Sequence, residues 1–221
     1  MTDKEIDEFI HNNTTENLKE FFNGLIEKLN TTNKRNDKLS LLMGILIIVY
    51  FIIDKNIVSS INLGPISIND ISLTKLFIPL IFAFVLLVYA TLNAHRAMLL
   101  QNIKSIGTTL YKLQESPLED PYYPNSFLRL IMPFSLWEEL SSKYIGNGKF
   151  GCLTLFMILP IFPLILFPFI FEFYAIKALL QNNWENGIIE KTIIILTIWI
   201  ILTSIIYYIK LLSSSIKENK N

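Results

Sequence analysis

Four long apolar runs, almost free of charge, limit what this chain can fold into. They span residues 39–53, 76–94, 151–171 and 193–212. A helix needs about 20 such residues to cross the hydrocarbon of a bilayer, where its backbone polar groups can pair only within the helix. The sequence therefore predicts an all-α membrane protein with four transmembrane helices, at 39–58, 75–94, 150–172 and 192–212.

The positive charges are unevenly divided among the segments that these spans separate. Fifteen of the 19 lysines and arginines lie in residues 1–38, in residues 95–149 or from Lys210 onward. Cytoplasmic segments are enriched in lysine and arginine. We therefore expect a multi-pass protein of the bacterial inner (plasma) membrane. Both termini, including the tail 213–221, are expected in the cytoplasm, and the connections 59–74 and 173–191 outside.

The stretch from Lys75 to Gln114 predicts one long helix with two different halves. Its first half is apolar all round, and from His95 the apolar residues recur on one face only. Forty residues make a rod of roughly 60 Å, about twice the hydrocarbon thickness of a bilayer. The second half is therefore predicted to be a cytoplasmic stalk that needs a protein partner.

Residues 1–38 predict amphipathic helices of a cytoplasmic layer. Residues 12–15 are expected to interrupt the helix, and residues 30–38 to form a polar linker. The apolar stripe after Glu16 is expected to pack on the stalk, and the alternative is a helix lying flat on lipid. The residues predicted to make these contacts, or to bind a cytoplasmic protein partner, are Phe21, Phe22, Leu25, Met98, Ile103, Ile106 and Leu110.

Two further short elements are predicted on opposite sides of the membrane. Apolar and polar residues alternate in 59–74 around Gly64 and Pro65, which predicts a β-hairpin-like outer loop. Ser135 and Glu138 have the spacing of a capping box, which predicts a helix starting at Ser135. Residues 95–149 would then contain the stalk helix followed by this helix, which is expected to lie in the membrane interface.

The third span contains the candidate pore or hinge residues Pro160, Pro163, Pro168 and Glu172. Proline removes a backbone donor and kinks a helix. Glu172 is expected to end this span at the outer interface, in contact with water. The alternative is a partly buried acid on an ion or proton path.

The sequence gives no pattern for catalysis or for binding a cofactor or metal. It has two histidines, one cysteine, no paired ligand motif and no glycine-rich phosphate loop. A net charge of zero also argues against nucleic-acid binding, which requires a basic face. We therefore predict no catalytic, cofactor or metal site, with an intramembrane enzyme as a remote third class.

The favoured hypothesis is a non-enzymatic membrane subunit that forms homo-oligomers in the lipid bilayer. Such a scaffold would couple the membrane to a cytoplasmic protein partner, as in an envelope-stress or defence system. The alternative is an oligomeric ion channel or pore-forming effector. A channel would need a polar path lined by several copies, whereas a scaffold needs only helix contacts and a cytoplasmic face.

Overall fold

The computed structural model of this protein is built almost entirely from helices. The structure describes residues 3–55, 61–63, 66–68, 71–113, 126–133, 161–184 and 187–218. The elements in chain order are α1 (Asp3–Asn12), α2 (Thr15–Asp54), β1 (Ile61–Leu63), β2 (Ile66–Ile68), α3 (Ile71–Leu110), α4 (Ser126–Ile131), α5 (Ile161–Asn183) and α6 (Ile188–Glu218).

Three of the described helices are long and apolar enough to cross a membrane. The qualifying segments are Thr15–Asp54, Thr74–Leu110 and Ile188–Ile209. They support the predicted membrane location. The predicted span at 150–172 begins outside the described residues, because the structure describes this region only from Ile161.

The chain divides into two compact units. Unit 1 comprises Met1–Asn36 and Leu92–Pro160, and unit 2 comprises Asp37–Thr91 and Ile161–Asn221. Helices α2 and α3 contribute residues to both units. The predicted interfacial helix after Ser135 lies outside the described residues.

Helix α2 corrects the predicted linker at residues 30–38. The break before it is where the sequence placed it, and the Thr14 hydroxyl accepts a hydrogen bond from the Asn17 N–H at 3.4 Å. The helix then continues to Asp54. The polar residues do not end it, since the Thr32 hydroxyl donates to the Lys28 carbonyl at 2.8 Å.

Helix α3 confirms the prediction of one long helix, with both ends shifted toward the N-terminus. It runs from Ile71 to Leu110 and contains Pro79. Beyond it, Lys112 has a φ of 50° and the Leu113 N–H bonds to the Thr108 carbonyl at 3.0 Å. This left-handed termination ends the helix before the predicted Gln114.

The core of unit 1 confirms that the N-terminal helices pack on the stalk half of α3. Side chains from four helices meet there, and the buried set is Ile6, Phe22, Leu25, Leu29, Leu99, Leu100, Ile103, Ile106 and Leu128. Burying one such side chain contributes about 1.5–3 kcal/mol. The alternative of an N-terminal helix lying flat on lipid is therefore wrong.

Gly107 allows the closest approach in this core. A Cβ atom there would lie 2.5 Å from Cδ2 of Leu128 and 3.0 Å from Cε2 of Phe22. Both neighbours are themselves fully buried and have little room to move. A side chain at this position would therefore require Leu128 or Phe22 to shift.

Unit 2 has its main core between α2, α3 and α5. Its largest buried side chains are Tyr50, Phe82 and Phe171. A second cluster packs α6 on this group, through Ile193 and Ile194 against Leu179 and Leu76.

Helix α5 extends beyond the predicted span. It continues eleven residues beyond 172, to Asn183, because the residues after Glu172 include good helix formers and no proline or glycine. Helix α6 begins at Ile188, so much of the connection 173–191 is helical, and its location outside the membrane stays a prediction. The turn that the sequence indicates around Trp184 is confirmed.

The two short strands lie within the predicted outer connection. Strands β1 and β2 pair antiparallel, with Ile61 opposite Ile68 and Leu63 opposite Ile66. That this connection forms a hairpin resting on the outer face of a membrane stays a prediction.

Candidate functional site

Glu172 is the buried acid of unit 2. Its exposed fraction is 1%, and it is the only carboxylate among the described residues in the buried class. Neither of its oxygens has a hydrogen-bond partner within the described part of the chain. The expectation that Glu172 is in contact with water is therefore wrong, because its side chain is buried in the core; where the span ends stays a prediction.

Aromatic rings form much of the core at this level of α5. The ring of Phe171, next to Glu172 in sequence, lies 4.7 Å from the Phe82 ring of α3 and 5.2 Å from the Tyr50 ring of α2, measured between centroids. Ala175, one turn after Phe171, is also completely buried. The part of α5 that carries Glu172 thus packs in a largely aromatic core, in which one of the rings is a phenol.

Tyr50 supplies that phenol. Its side chain is completely buried and its hydroxyl has no hydrogen-bond partner among the described residues. The hydroxyl lies within electrostatic range of Glu172, Asp54 and Tyr174. Two buried polar groups without partners, one acid and one phenol, therefore share the core of unit 2.

Lys75, one of the described cations of these helices, is already paired. Lys75 Nζ lies 2.6 Å from Asp54 Oδ1, and the Tyr174 hydroxyl donates to Asp54 Oδ2 at 3.3 Å. Both charged side chains are partly exposed. This ion pair joins α3 to the end of α2, and neither Glu172 oxygen has a described hydrogen-bond partner.

The other buried polar side chains of unit 2 are satisfied within their own helix. Thr197 donates to the Ile193 carbonyl at 2.8 Å, and Ser204 donates to the Ile200 carbonyl at 2.9 Å. Such bonds let a hydroxyl be buried without another partner. They set Thr197 and Ser204 apart from Glu172.

The predicted prolines have different positions in α5. Pro168 is half-buried inside the helix, four residues before Glu172, and its missing N–H removes one bond of the helical ladder. Pro163 lies in the first turn, where N–H groups have no helical partner anyway. Pro160 lies outside the described residues. A hinge or pore role for these prolines stays a prediction.

The predicted partner-binding residues divide into buried and exposed sets. Phe22, Leu25, Ile103 and Ile106 are buried in unit 1, and Leu110 packs against that core. These contacts are within the chain, Leu110 is only partly buried, and binding of a further protein by this set stays a prediction. Phe21 and Met98 are exposed and stay candidates for a partner.

A polar cluster in unit 1 was missed by the sequence analysis. The Arg96 Nε–H donates to Asn33 Oδ1 at 2.9 Å, and the Asn36 amide donates to Asn93 Oδ1 at 3.0 Å. Asn33 and Asn36 are buried, although the predicted linker would have left them in water. The available signal was spacing, because both continue the three- and four-residue steps of the stripe through Leu25 and Leu29.

Neither unit presents a described metal centre. Within the described ranges there is no group of three histidine, cysteine, aspartate or glutamate side chains that could hold an ion. Comparisons with protein families, with functionally characterised proteins and with solved structures give no match to this chain. Function must therefore be argued from the two units themselves.

Proposed function

We propose that this protein is a non-enzymatic integral membrane subunit that couples the bilayer to a cytoplasmic protein partner. The observation that carries the proposal is the composition of α2 and α3. Each helix is 40 residues long, with one section in the aromatic core of unit 2 and another in the helical core of unit 1. Each of these two continuous helices thus contributes an apolar section to unit 2 and an amphipathic section to unit 1.

The outward-facing residues of unit 2 support the proposal that this unit lies in the lipid bilayer. Large apolar side chains stay exposed on several of its helices, including Ile48 on α2, Phe84 on α3, Phe173 on α5 and Trp199 on α6. Exposed apolar surface on this scale is typical of contact with lipid or protein, not with water. The proposed placement also puts α5 in the bilayer, as the third of four spans.

The surface of unit 1 supports a cytoplasmic assignment and a protein partner. On the first part of α2 the exposed positions include Lys19, Glu20, Glu27 and Lys28, a mixture of both charges suited to water. Unit 1 also has exposed apolar side chains, among them Phe127 and Leu130 on α4. These residues, with Phe21 and Met98, form the surface that we assign to a cytoplasmic partner or to another copy of the chain.

Cysteine labelling in intact cells tests the proposed topology. In a Cys152→Ser background, Gln181→Cys should react with a membrane-impermeant maleimide from outside, and Glu27→Cys should react only after the membrane is opened. The two positions are matched, since both are exposed and helical. Labelling of Glu27→Cys from outside would overturn the topology on which the proposed coupling depends.

An oligomeric channel is the second candidate function, and the burial of Glu172 is the observation that favours it. Ionisable residues inside membrane segments are costly and commonly mark ion or proton pathways. The described residues of unit 2 offer few other polar groups for a conduit, since Thr197 and Ser204 bond to their own helix. The scaffold is therefore placed first.

A further inference from the structure

The Glu172 carboxyl and the Tyr50 hydroxyl are the two buried side-chain groups of unit 2 without a partner among the described residues. Each is at most 1% exposed. The native core therefore contains an acid that no described hydrogen bond or ion pair stabilises in its charged form.

An isolated carboxylate in apolar surroundings costs more free energy than a folded core can supply. Such a group is tolerated when it binds a cation or when it carries a proton. Hard cations take six or more oxygen ligands in proteins or keep water in their place. Beside the two Glu172 oxygens, the Tyr50 hydroxyl is the one side-chain oxygen without a partner among the described buried residues of unit 2, so the site fits a proton better than a metal ion.

We propose that Glu172 is a proton-binding site in the core of unit 2. In the packed form the carboxyl holds the proton. Release of that proton to water requires the helices α2, α3 and α5 to separate enough for water to reach the carboxyl. The inference rests on the proposed membrane placement for its apolar surroundings, and it holds for either a scaffold or a channel.

The ionisable groups of these helices indicate why proton release and packing would be linked. Helix α2 carries Tyr50, Asp54 and Lys55, α3 carries Lys75 and Tyr89, α5 carries Tyr174 and Lys177, and α6 carries Glu190, Lys191 and Tyr208. Asp54 already holds Lys75. A negative charge at Glu172 would act on the buried Tyr50 phenol, as the Asp54 carboxylate also does, and no described ion pair offsets it, which favours opening of the core.

Carbodiimide modification tests the site directly. Apolar dicyclohexylcarbodiimide enters membranes and reacts with protonated carboxyl groups, whereas a water-soluble carbodiimide reaches carboxyls in contact with water. With the full chain in liposomes at neutral pH, the apolar reagent should modify Glu172, as located by peptide mass spectrometry. The water-soluble reagent should instead modify exposed acids such as Glu27 and leave Glu172 unmodified.

Controls separate the proton site from its alternatives. Glu172→Gln should lose the modification while eluting as the same oligomer as the wild type. Protection of Glu172 by sodium, but not by choline at equal ionic strength, would overturn the proposal in favour of a cation site. Modification by the water-soluble reagent, or no modification by the apolar one, would also overturn it. All of these results are independent of the cysteine labelling that tests the topology.

Discussion

The packing of unit 1 can be tested with two adjacent phenylalanines on α2. Phe22 is 1% exposed and its ring lies 5.9 Å from the Tyr111 ring, whereas Phe21 is 36% exposed and its ring lies 4.9 Å from the Phe9 ring. Phe21→Ala and Phe22→Ala are therefore the same change in the same helix, one residue apart, with opposite burial.

The expected costs differ because only one substitution opens a cavity. A buried phenylalanine truncated to alanine loses about 3–5 kcal/mol of folding free energy. Phe21 loses mainly its ring pair with Phe9, about 0.5–1.5 kcal/mol. The backbone near Phe22 cannot easily close the gap, since α3 and α4 already meet at Gly107. We expect Phe22→Ala to cost about 2 kcal/mol more than Phe21→Ala.

Hydrogen exchange of the purified full chain measures this difference. Where exchange follows local opening, about 2 kcal/mol corresponds to roughly 30-fold faster exchange. The amides of α1, of residues 15–36 and of residues 99–106 should accelerate in Phe22→Ala. The amides around Phe82 in unit 2 should not change. Equal exchange in the two variants would refute the packing of the N-terminal helices on the stalk.

Two further predictions concern glycine packing and ion flux. Gly107→Leu should destabilise unit 1 by about 1–3 kcal/mol relative to Gly24→Leu, because a Cβ at Gly24 has nothing within 4 Å while one at Gly107 meets Leu128 and Phe22. Equal melting temperatures of these two variants would contradict the close approach. Purified wild-type protein in liposomes should carry little ion flux, because narrow apolar constrictions exclude water and ions. Robust flux that disappears in Glu172→Gln, with assembly intact, would favour the channel over the scaffold.

The parts of the fold that follow from periodicity were predictable. The apolar stripe through Phe22, Leu25 and Leu29 and its counterpart through Ile103 and Ile106 were both visible in the sequence, and they meet in one core. Each apolar stripe must be buried against another apolar surface, and the two stripes bury each other. The continuous helix α3 was predictable for the same reason, since its apolar half passes into its one-sided half with no proline after Pro79.

The environment of Glu172 was not predictable in the same way. A charge after a long apolar run is commonly the end of a span, and nothing local distinguishes it from an acid in mid-helix. The core in which α5 packs at this point is formed with Tyr50 and Phe82, which come from helices far away in the sequence. The prediction of a linker at residues 30–38 was wrong for a different reason. The polar composition of this segment indicates a linker, whereas the spacing of Asn33 and Asn36 continues the buried face of the helix.

The two asparagine contacts of unit 1 limit how α2 and α3 can move along each other. Asn33 meets Arg96 and Asn36 meets Asn93, so one antiparallel alignment satisfies both contacts at once. A shift by one helical turn, about 5.4 Å, would break both and leave buried amides unpaired, at about 1–3 kcal/mol for each group. Within unit 1 the two contacts therefore oppose any sliding of α2 along α3 and hold a single alignment of the two helices.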